Sequence, residues 1–215
     1  MMEFKAVYVT WQDIEDWCSG ILDMVLEDRY NPDVIVGIAR GGLVPARMIS
    51  DYLIKKELIS IKTEHWGLTA NMDGKAVLAG KTNYDMSGKK VLLVDDITDT
   101  GESMKVALDY IKSLNPSVVK SASMLYVNEA SFRPDYFGIG IKKNDWAWFI
   151  FPWNVYEDTY NLLKKFLSEP LDLDAAEKIL RDNYGLDTSR VNLSNILKNL
   201  SRSGMIKENK DKFYI

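Results

Sequence analysis

Val91-Leu92-Leu93-Val94-Asp95-Asp96-Ile97-Thr98-Asp99-Thr100-Gly101-Glu102-Ser103 carries four consecutive apolar residues straight into two adjacent carboxylates. A short segment rich in hydroxyls, with one glycine, follows. Met104, Ala107, Leu108 and Ile111 then recur at helical spacing. The pattern predicts a buried parallel strand that delivers acid groups and an anion cradle to the carboxyl edge of a sheet, where open α/β sheets bind ligands. A helix start offers free backbone N–H groups and a partial positive charge. Gly101 permits close backbone approach, and Thr100 and Ser103 add hydroxyl donors. No lysine lies in the loop, so it is not the nucleoside-triphosphate loop GxxxxGK[ST].

Asp95 and Asp96 are neighbours on a strand end, which predicts side chains on opposite sides and no tight carboxylate pair. They suit two ribose hydroxyls, or a magnesium ion shared with a substrate. A strand–turn–helix whose Asp and Thr residues only cap the helix is the bland alternative, and it needs much less of this run.

Upstream, Val34-Ile35-Val36-Gly37-Ile38-Ala39 is a second short apolar run, bounded by Asn31-Pro32-Asp33. Arg40-Gly41-Gly42 follows, and a helix is predicted over residues 44–55, with Pro45 in its first turn. Two glycines expose backbone N–H groups, and Arg40 supplies a forked cation suited to phosphate oxygens. Alone, such a turn carries little information. Beside the first signature it becomes the second half of a two-anion site.

The segment from Val91 to Ser103 resembles the signature of the type I phosphoribosyltransferases, and the stretch from Ile35 to Arg47 resembles the pyrophosphate loop of their xanthine-guanine and hypoxanthine branch. The resemblance covers roughly residues 1–167. It implies an α/β fold, a mostly parallel sheet flanked by helices, and transfer of a phosphoribosyl group from phosphoribosyl pyrophosphate to a purine base, with Mg2+. By it, Asp95 and Asp96 bind the ribose hydroxyls and the metal, and Asp99, Thr100, Gly101, Glu102 and Ser103 hold the 5′-phosphate. Arg40, Gly41 and Gly42 bind the pyrophosphate, and Lys62 is a further phosphate contact. Asp99 is the catalytic residue, an aspartate facing N7 of the base where it can accept or return a proton.

Base recognition is read from the same resemblance. Three of the six tryptophans cluster in residues 144–153. Trp146 reads as core. Trp148, counted back from Pro152-Trp153, matches the aromatic that stacks on the purine, and Phe149 matches the residue whose backbone meets the base edge. The relatives that use 6-oxopurines carry a lysine donor to O6 after the strand ending near Tyr126; here the position is Asn128, or Glu129 if the register slips by one. A 6-amino group needs an acceptor, which Asn offers and Lys does not. The expectation is therefore adenine on a 6-oxopurine scaffold, with hypoxanthine, guanine or xanthine as the alternative. Residues 59–88 resemble a hood that closes over the ribose. His65, the only histidine, reads as an exposed loop residue rather than a pyrophosphate contact.

A chain of 215 residues, 47% hydrophobic, can build one α/β domain and a small appendage. No apolar run is long enough to span a membrane, and no signal-peptide pattern opens the sequence. The single cysteine, Cys18, falls in a helical pattern over residues 11–28 capped by Thr10 and reads as packing; its isolation suits a cytoplasmic location. No zinc-type spacing occurs.

A helix over residues 157–167 is predicted to close the phosphoribosyltransferase domain, 1–167. The remainder, 168–215, reads as helices over 174–184 and 189–203 and a hairpin flanking residues 208–211, a winged-helix-like α+β layout. Its eight Lys or Arg are balanced by eight Asp or Glu, which argues against nucleic acid as a partner. The expected partners are phosphoribosyl pyrophosphate, the base and a second copy of the chain in a homodimer. The rival from another class is a transcriptional regulator that senses phosphoribosyl pyrophosphate or a nucleotide and uses the C-terminal piece on DNA.

Overall fold

A computed structural model describes residues 3–65 and 76–215, with nothing described of the His65 side chain. The elements run β1 (Ala6–Tyr8), α1 (Trp11–Glu27), β2 (Val34–Ala39), α2 (Leu43–Tyr52), β3 (Leu58–His65), β4 (Ala76–Gly80), β5 (Lys90–Thr98), α3 (Glu102–Lys112), β6 (Val118–Val127) and β7 (Tyr136–Ile141). They continue with β8 (Trp148–Ile150), α4 (Val155–Leu163), α5 (Leu173–Tyr184), α6 (Leu193–Arg202), β9 (Lys207–Asn209) and β10 (Lys212–Tyr214). Packing divides them into two units: residues 14–145, and the two chain ends, residues 1–13 with 146–215.

The larger unit is the α/β body. Its six-stranded sheet has the order β4-β3-β2-β5-β6-β7, parallel throughout except for the β3–β4 pair. The two central apolar runs explain the order. Val34, Ile35, Val36 and Val91 to Val94 are each fully buried, as strands covered on both faces must be, and they pair directly, Val34 with Val91 through Gly37 with Val94. One face is closed by Met104, Ala107 and Ile111 of α3 together with Val36, Ile38, Leu93 and Met86. Thr10 and Asp13 cap α1 reciprocally: the Asp13 amide donates to Thr10 Oγ1 at 3.2 Å, and the Thr10 amide to the Asp13 carboxylate at 2.7 Å. Cys18 is buried and free, and burial pushes its thiol up to about 12.

Some boundaries differ from the sequence expectation. β5 carries the aspartates, as expected, but runs two residues past them to Thr98, because the long strand β6 offers partners to the end, Ile97 with Leu125 and Thr98 with Tyr126. α2 ends at Tyr52 rather than residue 55, since Ile54 takes a positive φ of 54°.

The smaller unit joins the chain ends. β1 pairs in parallel with β8, Ala6 with Trp148 through Tyr8 with Ile150. These strands share one buried cluster with α4, α5, α6 and the hairpin: Ala6, Tyr8, Ile150, Leu163, Leu180, Leu197 and Phe213 among others. Residues 168–215 therefore do not form their own core. They pack on α4, and α4 with residues 148–150 belongs with them, so packing places the break near residue 146 where the sequence placed it after 167. Among the described residues no helix is long and apolar enough to cross a membrane.

Candidate active site

The cleft lies where β2 and β5 end side by side. Its volume is about 250 Å³, and it is lined by Arg40, Gly41, Asp95, Asp96 and the whole stretch from Ile97 at the end of β5 to Met104 in the first turn of α3, with Thr63 from β3. The two turns that the sequence marks as candidate anion sites thus meet in one cavity, because Gly37 of β2 pairs with Val94 of β5 and each strand feeds its own turn from there.

The first turn is shaped by its glycines. The peptide between Ala39 and Arg40 is cis. A methyl group on Gly41 would lie 1.8 Å from the nearer carboxylate oxygen of Asp96, so the turn and that carboxylate occupy adjoining space. At Gly42 the obstruction is backbone: the carbonyl oxygens of Val94 and Ile38 at 2.4 and 2.8 Å, and Asp95 Cα at 2.9 Å. The Gly42 amide donates to Ile38 O at 2.9 Å, so it serves the turn itself, and Gly42 does not line the cleft.

The second turn starts α3. Gly101 is the helix cap with φ 88°, a conformation that disfavours every other residue, and a methyl group there would meet Phe132 Cβ at 2.6 Å. The loop is held from behind by the segment after β6. Ser131 donates its backbone N–H (3.0 Å) and its hydroxyl (2.6 Å) to the Thr100 carbonyl, and Lys105 Nζ donates to Ser131 Oγ at 2.8 Å. Ser131 and Phe132 had no signal in the sequence. Their link to the loop is made across two parallel strands.

Asp95 is buried, and its amide neighbour Asp96 donates to its carboxylate at 3.0 Å. Burial pushes the Asp95 carboxyl well above the usual carboxylate range, and the Asp96 charge adds to the rise; a side-chain hydrogen bond also joins the two residues. Asp96 in turn accepts from the Ile97 amide at 2.8 Å, which turns its carboxylate back toward the strand end.

A magnesium site fits this donor set. Among the described residues no three His, Cys, Asp or Glu converge, so a cation would rest on two hard carboxylate oxygens and on ligands from a substrate. Magnesium is commonly held that way, and an adjacent cation would relieve the unfavourable burial of Asp95 charge. Asp99 lies half-buried in the same cleft.

The remaining expected residues lie elsewhere. Lys62 is within β3, not past it, and pairs with Glu64; a register shift between Lys62 and Thr63 turns Thr63 into the cleft instead. The hood expected over residues 59–88 contains the antiparallel β3–β4 pair and the segment 81–88 that follows it, and its residues 66–75 lie outside the described residues. Asn128 is exposed at the turn after β6, its amide donating to Ile141 O at 2.9 Å and its side-chain oxygen resting over Gly140. Glu129 accepts the Lys143 amide at 2.9 Å. Trp148 and Phe149 belong to the smaller unit, on β8; Trp148 packs partly buried against that unit's core, of which Ile150 is a fully buried member, and Trp146 is only half-buried.

Comparison with known proteins agrees with this geometry. Residues 8–158 match the phosphoribosyl transferase domain. Xanthine phosphoribosyltransferase 1 of Saccharomyces cerevisiae is 29% identical over 131 residues, 52% of this chain, which spans 63% of that relative's length. Hypoxanthine-guanine phosphoribosyltransferase of Schizosaccharomyces pombe is 25% identical over 192 residues, covering 73% of this chain and 92% of the relative. Among solved structures, purine phosphoribosyltransferase from Pyrococcus horikoshii Ot3 superposes with a TM-score of 0.58 at 31% identity, over 69% of this chain and 93% of that one. With the matched region taking in every residue that lines the cleft, the chain belongs to the phosphoribosyl transferase domain family.

Proposed function

We propose that the chain is a purine phosphoribosyltransferase, a salvage enzyme that joins a free purine to phosphoribosyl pyrophosphate and releases the nucleoside monophosphate and pyrophosphate. The observation that carries this reading is the single cleft in which the Arg40-Gly41 turn faces the loop from Asp99 to Ser103. A substrate gripped by a phosphate at one end and a pyrophosphate at the other has its reacting ribose carbon held between two fixed points, and such positioning supplies much of the rate. Thr100, Gly101, Glu102 and Ser103 hold the 5′-phosphate at the start of α3. Arg40 and Gly41 hold the pyrophosphate, with Gly42 keeping their turn closed against β5. Asp95 and Asp96 would hold a magnesium ion together with substrate oxygens, and the ion, when bound, supplies positive charge against the departing pyrophosphate. Asp99 takes or returns the proton at N7 of the base. Pairing of two copies and a cytoplasmic location belong to the same reading.

Adenine is the proposed base. Glu129 is engaged by the Lys143 amide, which leaves Asn128 as the residue whose amide group can meet position 6. Trp148 and Phe149 are the proposed stacking and edge contacts. Labelled adenine, hypoxanthine, guanine and xanthine supplied in turn with phosphoribosyl pyrophosphate test the reading; consumption of none would remove it, and hypoxanthine ahead of adenine would remove the role of Asn128. Asn128→Lys replaces an acceptor with a donor and should move the ratio of kcat/KM for adenine over hypoxanthine by about 10-fold or more toward hypoxanthine.

Ser131 is a positioning residue in this scheme, since it fixes the Thr100 carbonyl with two hydrogen bonds. Ser131→Ala removes one of them, about 1 kcal/mol of restraint on the loop, so the KM for phosphoribosyl pyrophosphate should rise roughly fivefold with kcat nearly kept. Ser131→Thr should restore it. An equal fall in kcat would place Ser131 outside phosphate binding.

A further inference from the structure

We propose that α6 and the β9–β10 hairpin form a docking surface for duplex DNA. The first support is topological. Leu171 pairs with Phe213 through two backbone hydrogen bonds of 2.9 and 2.8 Å, so an extended residue before α5 joins the edge of β10. The order of elements is then α4, strand residue Leu171, α5, α6, β9, β10, with all three helices packed on one core. That is the complete winged-helix arrangement, and it includes α4, which the sequence assigned to the other domain. In this arrangement the second helix of the helix–turn–helix pair, here α6, is the element that enters the major groove. Fold alone does not give function, so the surface must carry the inference.

The surface has the required chemistry. α6 buries Leu193, Ile196, Leu197 and Leu200 and turns Asn195, Lys198 and Arg202 to solvent. Those three lie three, then four residues apart, so they form one stripe, and α6 contains no acidic residue. They are side-chain types that contact base edges and phosphates. The hairpin adds Lys207, Lys210 and Lys212, all exposed, against Glu208 and Asp211.

The neutral sum over residues 168–215 hides a sorted distribution. Residues 168–187 hold six Asp or Glu and two Lys or Arg, whereas residues 188–215 hold six Lys or Arg and two Asp or Glu. Two of the acids in the first half cap helical turns, Asp172 accepting from the Ala175 amide at 2.9 Å and Asp187 from the Ser189 amide at 3.0 Å. Arg190 is paired with Asp13. The five cations left on α6 and the hairpin face a polyanion well, and no step of the proposed transfer uses them. The inference stands or falls independently of the transferase reading.

Fluorescence anisotropy of the full-length chain with a labelled duplex of about 20 base pairs tests it, at low salt and across a salt series. Binding is expected, with log K falling against log salt at a slope of about −3 to −4 if four of the five cations meet phosphates. Lys198→Glu with Arg202→Glu should weaken binding by about tenfold or more, while Lys178→Glu on α5 should leave it unchanged, and both variants should keep full transfer activity. If the double reversal lowers the thermal midpoint, Lys198→Gln with Arg202→Gln should still show a clear loss. No anisotropy rise with ~50 μM protein at low salt would overturn the proposal, because non-specific binding alone should register there. So would variant binding equal to that of the unaltered chain, or tighter binding of single-stranded RNA of the same length.

Discussion

Asp99→Asn should slow phosphoribosyl transfer by about 10²- to 10⁴-fold, the range expected when a positioned acid–base group is lost. Asn has nearly the shape of Asp and still accepts a hydrogen bond through its carbonyl, so the loop from Ile97 to Met104 should keep its form. What it loses is the ability to take a proton from the base. Affinity for phosphoribosyl pyrophosphate, read by calorimetry on the magnesium-loaded protein, should stay within about threefold, so the loss falls on kcat. Equal losses in binding and turnover would mean that Asp99 only shapes the phosphate loop. The acid–base role would then fall to Asp95, Asp96 or Glu102, the other acids of the cleft.

Gly42→Ala should destabilise the protein strongly. The added carbon meets two carbonyl oxygens and a Cα at 2.4–2.9 Å, all of them main chain of β2 and β5, so no side chain can swing aside. Overpacking of this kind costs about 1–3 kcal/mol. For a chain of this size that should lower the thermal midpoint by roughly 2–12 °C, measured by circular dichroism. The same push displaces Asp95 and the Arg40-Gly41 turn, so activity should fall further than the midpoint implies. Gly204→Ala is the comparison: φ is 77° there but no atom lies within 4 Å, so only backbone strain applies, about 1 kcal/mol, without loss of activity. A Gly42→Ala protein with unchanged melting and turnover would show that the two strand ends move apart readily.

The parts of the fold that depend on short stretches of chain were readable. Val91 to Val94 and Val34 to Ala39 are apolar on both faces, and each is followed at once by its turn and helix, so strand, cradle and helix were legible together. What escaped depends on partners distant in sequence. β5 runs to Thr98 only because β6 is long enough to match it. Thr63 replaces Lys62 in the cleft because of an irregularity opposite β4. The role of Ser131 needs a backbone carbonyl 31 residues away. The membership of α4 was hidden because amphipathic spacing tells which face is buried but not against what. The charge sum of the C-terminal piece was correct and uninformative, since capping acids and exposed bases were averaged together.

β1 has its consequence during synthesis. Its only strand partner among the described residues is β8, and Ala6 meets Trp148 after 141 intervening positions have been made. A ribosome delivers residues 14–145 first, and domains generally fold as they emerge. Ala6 and Tyr8, made before the larger unit, are thus among the last of these residues to find their place, and a nascent chain stalled before Trp148 would leave them uncovered to whatever chaperone is at hand.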